Sequence, residues 1–385
     1  MKVIIERDAL APVLDALVRV VDRKAVIPVL TCLKLETGGA GLLLSAHALD
    51  SCMQIEVRAE VSDAGAIAVE AEPLRAIVRG LNAGAQIRLS VSDARLTIQA
   101  GRSRYNLAIL PADDFPPMLA PGADAARITL DAAQVTQVLT RPSGFTAESD
   151  DRPFFGGVWL NIKDGALWGC GANGYSMLAL TIGTPDGCSA LIMIENAEHS
   201  TIIPAGATDG ISRALAAGGT LVIDRSTVCA EGASGTYACK LLSYKFPNAW
   251  AVLPQRLEDE AITLDRAELA SALARLSSLT TKENRVLFRW SQGEEDVVIC
   301  LDGATWRGDG EERLALRSPA GSDGSCILSQ VYLAKILSAM RGDMVEISHN
   351  IRSSSVRLHD TGEPEAMFAL STIRLRKLED AEDAA

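Results

Sequence analysis

Hydrophobic and polar positions follow one arrangement that returns near residues 3, 128 and 262. Each copy starts with a short stretch in which apolar and polar residues alternate. An acidic residue follows, and then apolar residues at i, i+3, i+4 and i+7. The second and third copies open with the same four letters, ITLD, at 128–131 and 262–265. Alternation is typical of a strand, and the longer spacing is typical of an amphipathic helix. The pattern predicts a strand that leads into a helix lying on a sheet, three times.

A second type of helical segment lies between these copies. It reads EAEPLRAIVRGL around Leu74, TDGISRALAAGG around Leu215 and LSQVYLAKILSAM around Leu333. The first and third copies of both helix types are 259 residues apart, from position 3 to 262 and from 79 to 338. Such constant spacing indicates an internal repeat. The sequence therefore predicts six half-repeats.

Short alternating stretches broken by turn residues fill the remaining chain and predict antiparallel hairpins. Proline-containing joints follow at Phe115-Pro116 and Phe246-Pro247, where extended linkers are expected. The predicted fold class is α+β, with three similar domains that are each a duplicated helix-plus-antiparallel-sheet unit. Their expected bounds are 1–122, 126–256 and 260–375, followed by an acidic tail at 376–385.

Composition is consistent with a folded protein of two or three domains. The chain has 385 residues, 48% hydrophobic and 22% charged, with a mean hydropathy of +0.15. Its start, MKVIIERDAL, meets charge early, and no apolar run has the length of a membrane span. We therefore expect a cytoplasmic protein. The net charge of -12 argues against a nucleic-acid partner, but it is an average over the whole chain. Whether the protein can bind nucleic acid therefore depends on where its cations lie.

Residues that carry catalysis or bind metals are not grouped in the sequence. The eight cysteines form no CxxC pair and the four histidines lack metal-ligand spacing. The GxGxxG at 169–174 is followed by YSMLALTI, which reads as a strand, and it contains the turn pair Asn173-Gly174. A hairpin turn is the better interpretation than a nucleotide site. We expect no catalytic residue, no metal and no cofactor.

Basic residues fall on the polar side of the predicted helices. At about 100° per residue, Arg19 and Arg23 lie opposite the apolar stripe of the first helix. Arg79, Arg213 and Lys335 take similar positions in the second helix type. For a single helix, such cations most simply keep the surface hydrated. Repeated over six helices, they would form one basic surface suited to a phosphate backbone, with binding that is independent of base sequence and sensitive to salt.

Several stretches together give the sequence a resemblance to a known family. They are GRSRYNLAILPADDFP at 101–116, IPVL at 27–30, RGL at 79–81 and IRL at 373–375. With the threefold repeat, the chain resembles the bacterial sliding clamp, the beta subunit of DNA polymerase III. The resemblance implies a DNA clamp fold and a head-to-tail homodimer that closes into a ring around double-stranded DNA. It also implies a non-catalytic processivity factor that works with a DNA polymerase and a clamp loader.

The family pattern assigns three sets of residues. The DNA-binding set is Arg19, Arg23, Lys24, Arg75, Arg79, Arg152, Arg213, Arg275, Lys335 and Arg341. The dimer interface is Tyr105, Leu107, Leu276 and Leu279. The groove for partner peptides is Phe155, Ala172, Gly174, Tyr175, Ser176, Met177, Pro247, Ala251, Val252, Ala369, Ser371, Thr372, Ile373, Arg374 and Leu375.

The groove also departs from the family pattern. Where the family reads TDGHRL this chain has ANGYSM, and where it ends in MPMRL this chain has STIRL followed by ten residues. These changes predict a groove of altered polarity. They leave an alternative open: a divergent clamp paralogue or clamp-like scaffold that serves repair or other partners instead of the main replicase. An enzyme acting on nucleic acid is disfavoured because no catalytic constellation is present.

Overall fold

The computed structural model describes residues 1–39, 41–148, 151–193, 200–252, 261–279, 285–302, 308–349 and 354–373. The chain divides into two compact units, each built from two segments. Unit 1 comprises Met1–Thr136 and Thr184–Ser243, and unit 2 comprises Gln137–Gly183 and Tyr244–Ala385. The three-domain division expected from the sequence stays a prediction.

Helices lie close to the positions expected from the apolar periodicity. In chain order they are α1 (Arg7–Leu17), α2 (Ala71–Gly80), α3 (Ala132–Val135), α4 (Arg141–Ser143), α5 (Thr208–Ala214), α6 (Ala249–Val252), α7 (Arg266–Ser277) and α8 (Gln330–Ala339). A π-helical turn, Thr136–Thr140, joins α3 to α4. Short 3-10 turns occupy Pro28–Thr31, Ala112–Asp114, Pro153–Phe155, Cys188–Met193 and Ala205–Ala207.

Strands fill the stretches between the helices and pair in antiparallel fashion. They are β1 (Lys2–Glu6), β2 (Cys32–Thr37), β3 (Gly41–His47), β4 (Ser51–Arg58), β5 (Glu60–Asp63), β6 (Ala66–Glu70), β7 (Gln86–Ser92), β8 (Arg95–Ala100), β9 (Ser103–Leu110), β10 (Ala126–Leu130), β11 (Gly157–Lys163), β12 (Ala166–Ala172), β13 (Ser176–Ile182), β14 (Thr201–Pro204), β15 (Gly219–Ile223), β16 (Thr227–Gly232), β17 (Gly235–Lys240), β18 (Ala261–Asp265), β19 (Arg285–Trp290), β20 (Asp296–Leu301), β21 (Glu311–Ala315), β22 (Gly324–Ser329), β23 (Met344–His349), β24 (Ser355–Asp360) and β25 (Ala366–Ser371). The predicted α+β class with antiparallel hairpins is confirmed.

The helices begin where the sequence places an acidic residue. Asp131 accepts a hydrogen bond from the backbone N–H of Gln134 at 2.7 Å, and the Asp131 N–H donates in return to the Gln134 side chain. Asp265 accepts from the N–H of Glu268 at 2.8 Å. These bonds satisfy N–H groups that the first helical turn leaves without partners. Glu6 holds the equivalent place before α1 but makes no such side-chain bond.

Unit 1 is built on one long sheet with the order β10-β15-β16-β17-β4-β3-β2-β6-β9-β8-β7-β1-β5. Its helix α1 buries Leu10, Leu14 and Leu17, each at most 1% exposed, on the expected stripe. Since the strands alternate, one sheet face packs on this stripe and the other carries the polar residues. The helices consequently turn their own charged side away from the core.

Unit 2 contains two sheets. One runs β11-β12-β13-β25-β24-β23-β18, and the other has four strands in the order β21-β20-β19-β22. A single core joins helices α7 and α8 to both sheets, and Phe288 and Phe368 are its largest fully buried side chains. The GxGxxG segment lies in the β12–β13 hairpin, with Gly174 at a φ of +86°. The hairpin interpretation of that motif is therefore confirmed.

Candidate functional site

The predicted cations of unit 1 lie on α2 and α5 or in the segment after α1, and most of them pair with carboxylates. Since α1 ends at Leu17, the expected place of Arg19 and Arg23 on the first helix is corrected. The ion pairs are Arg19 with Asp209 (3.8 Å), Arg23 with Glu72 (2.7 Å), Arg75 with Asp15 (2.6 Å) and Glu72 (3.0 Å), Arg79 with Asp15 (3.7 Å), and Arg213 with Asp209 (3.0 Å). Lys24 is exposed and forms no ion pair within the described residues. The cations outnumber their carboxylate partners, so this group keeps a positive excess.

These cations differ in how available they are to a ligand. The side chains of Arg19, Arg23 and Arg79 are 57–62% exposed, whereas that of Arg75 is only 26% exposed. Hydrogen bonds from Arg75 to Asp15 and Glu72 raise the pKa of its guanidinium and fix it in place. Exposed ion pairs contribute little to stability in water. The exposed arginines can therefore exchange a carboxylate for a phosphate oxygen at small cost.

Three predicted cations of unit 2 lie on or beside its helices. Arg275 forms a bidentate ion pair with Glu312, with N···O distances of 2.7 and 2.8 Å, and this arginine lowers the pKa of Glu312. Lys335 places its ammonium 5.3 Å from the ring centre of Phe145. Arg341 is 60% exposed, with its guanidinium 3.5 Å from a carboxylate oxygen of Glu363. Arg275 lies on α7 and Lys335 on α8, and Arg341 lies just after α8.

Arg152 does not lie on a helix, and its assignment to the DNA-binding set stays a prediction. It precedes the 3-10 turn Pro153–Phe155, and its guanidinium lies 5.7 Å from the ring centre of Tyr175. A cation over an aromatic ring at this distance is attracted by the electron-rich face. Arg152 therefore belongs to the rim of an apolar groove in unit 2.

This groove has a volume of about 200 Å³ and contains most of the predicted peptide-binding residues. The predicted residues that line it are Phe155, Ala172, Gly174, Tyr175, Ser176, Met177, Pro247, Ala369 and Ser371. The further lining residues are Arg152, Phe246, Ala249 and Ser355. Ala251, Thr372 and Ile373 are not among its lining residues, while Arg374, Leu375 and the side chain of Val252 lie outside the described residues.

The β12–β13 turn shapes one wall of the groove. The Oδ1 atom of Asn173 accepts hydrogen bonds from the N–H groups of Tyr175 (2.9 Å) and Ser176 (2.8 Å). Asn and Gly are the residues that adopt such turns most readily. The carbonyl of Tyr175 accepts from the N–H of Ser371 at 2.8 Å. The turn that carries Tyr175 is thus fixed to strand β25 on the opposite wall.

Aromatic rings form the rest of the lining and its support. Tyr175 stacks on Tyr332, with ring centres 5.4 Å apart and planes 14° apart. Phe155 meets Phe246 edge to face at 5.6 Å, and Phe246 stacks on Trp159 at 5.0 Å. Aromatic pairs in these geometries add stability beyond the apolar area that they bury. The groove is therefore a rigid apolar surface suited to apolar anchor residues.

Four lining residues of the groove, Arg152, Phe246, Ala249 and Ser355, were not assigned to it from the sequence. Ser355 begins β24, and the pairing of β24 with β25 places it opposite Ser371. No local pattern indicated this position. Phe246 belongs to the proline joint that was expected to act only as a linker, yet it is 4% exposed. Its apolar ring before a proline was the available signal for a packing role.

The predicted dimer interface divides between a strand edge and the core. Strand β9 pairs with β8 along its length, but with β6 only through Ile109 and Leu110. Tyr105 is 40% exposed, and Leu107 is half-buried. Leu276 is 2% exposed in the core of unit 2 and cannot reach a partner, so its assignment is corrected. Leu279 is half-buried and remains at the surface.

Thiols and metal ligands provide no second site in the described part of the chain. Burial raises the pKa of Cys170 and Cys326 to about 12, which leaves both as protonated core thiols. The described residues contain no group of three His, Cys, Asp or Glu side chains placed to hold a metal ion. Among the described helices, none has the length and apolar character to span a membrane.

Comparison with known proteins gives a consistent result. A family model described as "DNA polymerase III beta subunit, N-terminal domain" matches residues 1–119. The beta sliding clamp of Caulobacter vibrioides is 29% identical over 294 residues, which are 74% of this chain and 77% of that protein. The beta sliding clamp of Pseudomonas putida is 27% identical over 376 residues, which are 96% of this chain and 99% of that protein.

Solved structures agree over almost the whole chain. The structure named "Caulobacter crescentus pol III beta" superposes with a TM-score of 0.87 and 25% sequence identity, covering 97% of this chain and all of that one. A second structure, of the DNA polymerase III subunit beta from Pseudomonas aeruginosa, has the same TM-score at 24% identity. The exposed helix cations and the apolar groove lie within this shared fold. Residues 1–119 therefore match the family of the DNA polymerase III beta subunit, and the chain as a whole is similar to the beta sliding clamps in sequence and fold.

Proposed function

We propose that this protein is a DNA sliding clamp that tethers a replicative DNA polymerase to its template without catalysing a reaction itself. Two copies close head to tail into a ring around double-stranded DNA. The observation that carries the proposal is the match of 97% of the chain to sliding-clamp structures, together with arginines at the exposed face of its helices. Phosphate contacts alone carry no base information, so the ring slides along any sequence.

Three similar domains per chain, at 1–122, 126–256 and 260–375, supply the proposed ring with repeated helices. The cations toward the DNA are Arg19, Arg23, Lys24, Arg75, Arg79, Arg213, Arg275, Lys335 and Arg341. Exposed arginines that are already paired with carboxylates would make only weak contacts with DNA phosphates. Weak phosphate contacts permit the ring to slide. Tight and geometrically fixed phosphate contacts would instead hold the ring at one place.

We propose that the ring closes through the edge of β9, which pairs with β6 only at Ile109 and Leu110. An edge strand presents N–H and C=O groups that a strand from another chain can pair with. Tyr105 and Leu107 lie on this strand, and Leu279 is the proposed apolar contact from the second copy. Each closing contact is heterologous, so two contacts related by rotation complete a ring.

The apolar groove is proposed to receive short peptides of the polymerase and the clamp loader. Its aromatic lining accepts apolar anchors, and Arg152 at the rim offers a cation beside them. The same groove cannot serve two partners at once, so the partners exchange on one clamp. Recognition of each partner then depends on its anchor residues.

Processive synthesis provides the test. The polymerase and clamp loader of the same organism would copy a singly primed circular template with and without this protein. The proposal expects products several times longer in a single binding event when the clamp is present. Products of equal length, in a reaction where the loader and polymerase are active with another clamp, would reject the proposal.

A further inference from the structure

The proline joint after β9 lies against the long sheet of unit 1. Its residues 115–122 read FPPMLAPG, and we call this segment the linker strap. Beneath it, Cys52 on β4 lies opposite Ala238 on β17, and both belong to a buried apolar cluster. Met118 and Leu119 of the strap pack on this cluster. The strap therefore covers the pairing of β4 with β17, where the expected first and second domains meet.

The covered side chains face away from the helices. Tyr237, the neighbour of Ala238 on β17, points toward α5, where a Cβ atom on Gly210 would meet its ring. Because side chains alternate along a strand, Ala238 points to the opposite face of the sheet, and so does Cys52 beside it. The strap thus lies on the side without helices, and it contains none of the helix cations, groove residues or β9 residues described above.

Two N–H groups of the linker strap donate to side chains of the sheet and its turns. The N–H of Leu119 donates to Sγ of Cys52 at 3.2 Å, and the N–H of Gly122 donates to a carboxylate oxygen of Asp224 at 2.7 Å. Burial raises the pKa of the Cys52 thiol, which therefore stays protonated. At Asp224 burial is outweighed by hydrogen bonds from three backbone N–H groups, which hold the pKa of this carboxyl below its ordinary value. Neither acceptor changes its charge near neutral pH.

His47 on β3 provides a third polar contact to the strap, and it uses both ring nitrogens. Nδ1 accepts a hydrogen bond from the N–H of Leu49 at 3.0 Å, so the ring proton is on Nε2, which donates to the carbonyl of Pro117 at 3.1 Å. His47 is 3% exposed and meets Phe115 of the strap edge to face, with ring centres 6.3 Å apart. The contacts therefore hold His47 as a neutral imidazole.

Protonation of His47 would break one of these contacts and bury a charge. A proton on Nδ1 faces the N–H of Leu49, so that two donors meet and the hydrogen bond is lost. Leu49 has a φ of +63°, which is uncommon for a residue with a side chain, and its bond to Nδ1 fixes this conformation. Burial lowers the pKa of His47, the hydrogen bond to Pro117 opposes this, and the charge of Lys240 adds to it. The folded protein consequently favours the neutral ring.

The linker strap, FPPMLAPG, contains no titratable side chain of its own. The titratable and charged groups on the elements around His47 are Cys32 on β2, Asp50 between β3 and β4, Cys52 on β4, Asp113 and Asp114 before the strap, and Lys240 on β17. Asp50 and Lys240 form an exposed ion pair at 2.8 Å, and burial raises the pKa of both cysteines. Histidine is the side-chain type among these that ordinarily changes charge between about pH 5 and 8.

We propose that His47 is an acid-sensitive catch for the linker strap. The neutral ring holds Pro117 and the turn at Leu49, and protonation frees the strap to leave the cluster over the β4–β17 pairing. The joint between the expected first and second domains then loses this cover and becomes more flexible. Because the pKa of His47 is lower in the folded than in the unfolded chain, the stability that it contributes is present above about pH 6.5 and is lost as the pH falls below that value. Neither DNA nor a partner peptide is required for this release.

Hydrogen exchange of the full chain at about pH 7.5 and about pH 5.5 tests the catch. Mass spectrometry reads peptides that span the strap, and the rates are corrected for the intrinsic effect of pH on exchange. Uptake of one proton by His47 on opening should lower strap protection several-fold, and at most about tenfold, at one unit below its ordinary pKa of about 6.5. Peptides of β12 and β13 in unit 2 are the internal reference and should change less than about twofold.

Two variants separate His47 from other titrating groups. His47→Gln keeps a side-chain N–H for the carbonyl of Pro117 but cannot titrate, so its strap protection should change less than about twofold between the two pH values. His359→Gln removes a histidine of unit 2 and should keep the several-fold response of the strap.

Three results would overturn the proposal. The first is equal strap protection at the two pH values in the unchanged protein, a comparison that needs no variant to fold. The second is a full pH response of the strap in His47→Gln. The third is a loss of protection across all of unit 1 at the lower pH, which would show general acid unfolding in place of a catch. No helix cation or groove residue is changed, so the outcome is separate from that of the clamp proposal.

Discussion

Arg141 and Glu363 are 222 residues apart in sequence and form a bidentate ion pair inside unit 2, with N···O distances of 2.5 and 2.6 Å. The side chains of Glu363 and Arg141 are 4% and 13% exposed. Arg141 begins the short helix that packs against strands β12 and β13, and Glu363 lies just before β25. The pair therefore joins α4 to the turn between β24 and β25.

Removing one partner of this ion pair should destabilise unit 2. In Glu363→Gln the buried guanidinium loses its carboxylate, and we expect the free energy of unfolding to fall by about 3 kcal/mol, as is typical when a buried charge is left unpaired. All five tryptophans of the chain lie in unit 2, so their fluorescence during urea unfolding reports on this unit. The control Glu311→Gln breaks an exposed pair with Arg313 and should cost less than about 1 kcal/mol. Equal losses would contradict the assigned role.

Neutralising exposed helix arginines should weaken DNA binding, and the binding should remain independent of base sequence. In Arg79→Gln/Arg213→Gln we expect the slope of log K against log salt to decrease by about 0.9 for each phosphate that the protein no longer binds. Titration of labelled duplexes of two unrelated sequences, from low to moderate salt, measures the slope. The control Arg225→Gln removes an exposed arginine that lies between strands β15 and β16. A native slope in the double variant would exclude both arginines from the DNA surface.

Tyr175 forms part of the groove wall, and its ring should contribute to peptide binding. Tyr175→Ala removes both the stack on Tyr332 and the cation–ring interaction with Arg152, and we expect about tenfold weaker binding of a peptide with apolar anchors. Fluorescence polarisation with the C-terminal peptide of the organism's polymerase subunit gives the affinity. Tyr244→Ala is the matched control, because Tyr244 is 43% exposed and does not line the groove. Equal affinities for the two variants would place the peptide elsewhere.

Oligomeric state should depend on the available edge of β9. Leu107→Lys places a charge on the strand that is proposed to pair with a second copy, and a buried charge without a partner is strongly unfavourable. We expect sedimentation to give the mass of one 40.8 kDa chain for the variant and twice that mass for the native protein. Val61→Lys changes β5, the terminal strand of the same sheet, and should remain a dimer. A dimer in both variants would move the interface away from β9.

Local pattern predicted the helices and hairpins well, because burial of one face imposes a period on the sequence. The acidic helix starts at Asp131 and Asp265 and the turn at Asn173-Gly174 were recognisable from their residue types, which satisfy local backbone groups. The assignment of Leu276 to a surface conflicted with the helical period, since it lies on the apolar stripe of α7, and burial prevailed. Periodicity alone would have corrected it.

Non-local contacts could not be read from the sequence in this way. Arg152 lies in a loop, where no period constrains the direction of a side chain, so its position over Tyr175 depended on the folded hairpin. Ser355 reaches the groove because β24 pairs with β25. The ion pair between Arg141 and Glu363 forms because the fold packs together two segments that are 222 residues apart in sequence. Fold class and helix faces follow from local rules, whereas the composition of a site follows from the assembled unit.

Retention on closed DNA tests the central claim most directly. Labelled protein is loaded by the clamp loader onto a nicked circular plasmid, isolated by gel filtration at a salt concentration that screens phosphate contacts, and then treated with an enzyme that cuts the plasmid once. An encircling ring stays with the circle at that salt and is lost from the linear product. Protein that leaves the uncut circle at that salt, or that stays equally on circle and linear DNA, would contradict encirclement.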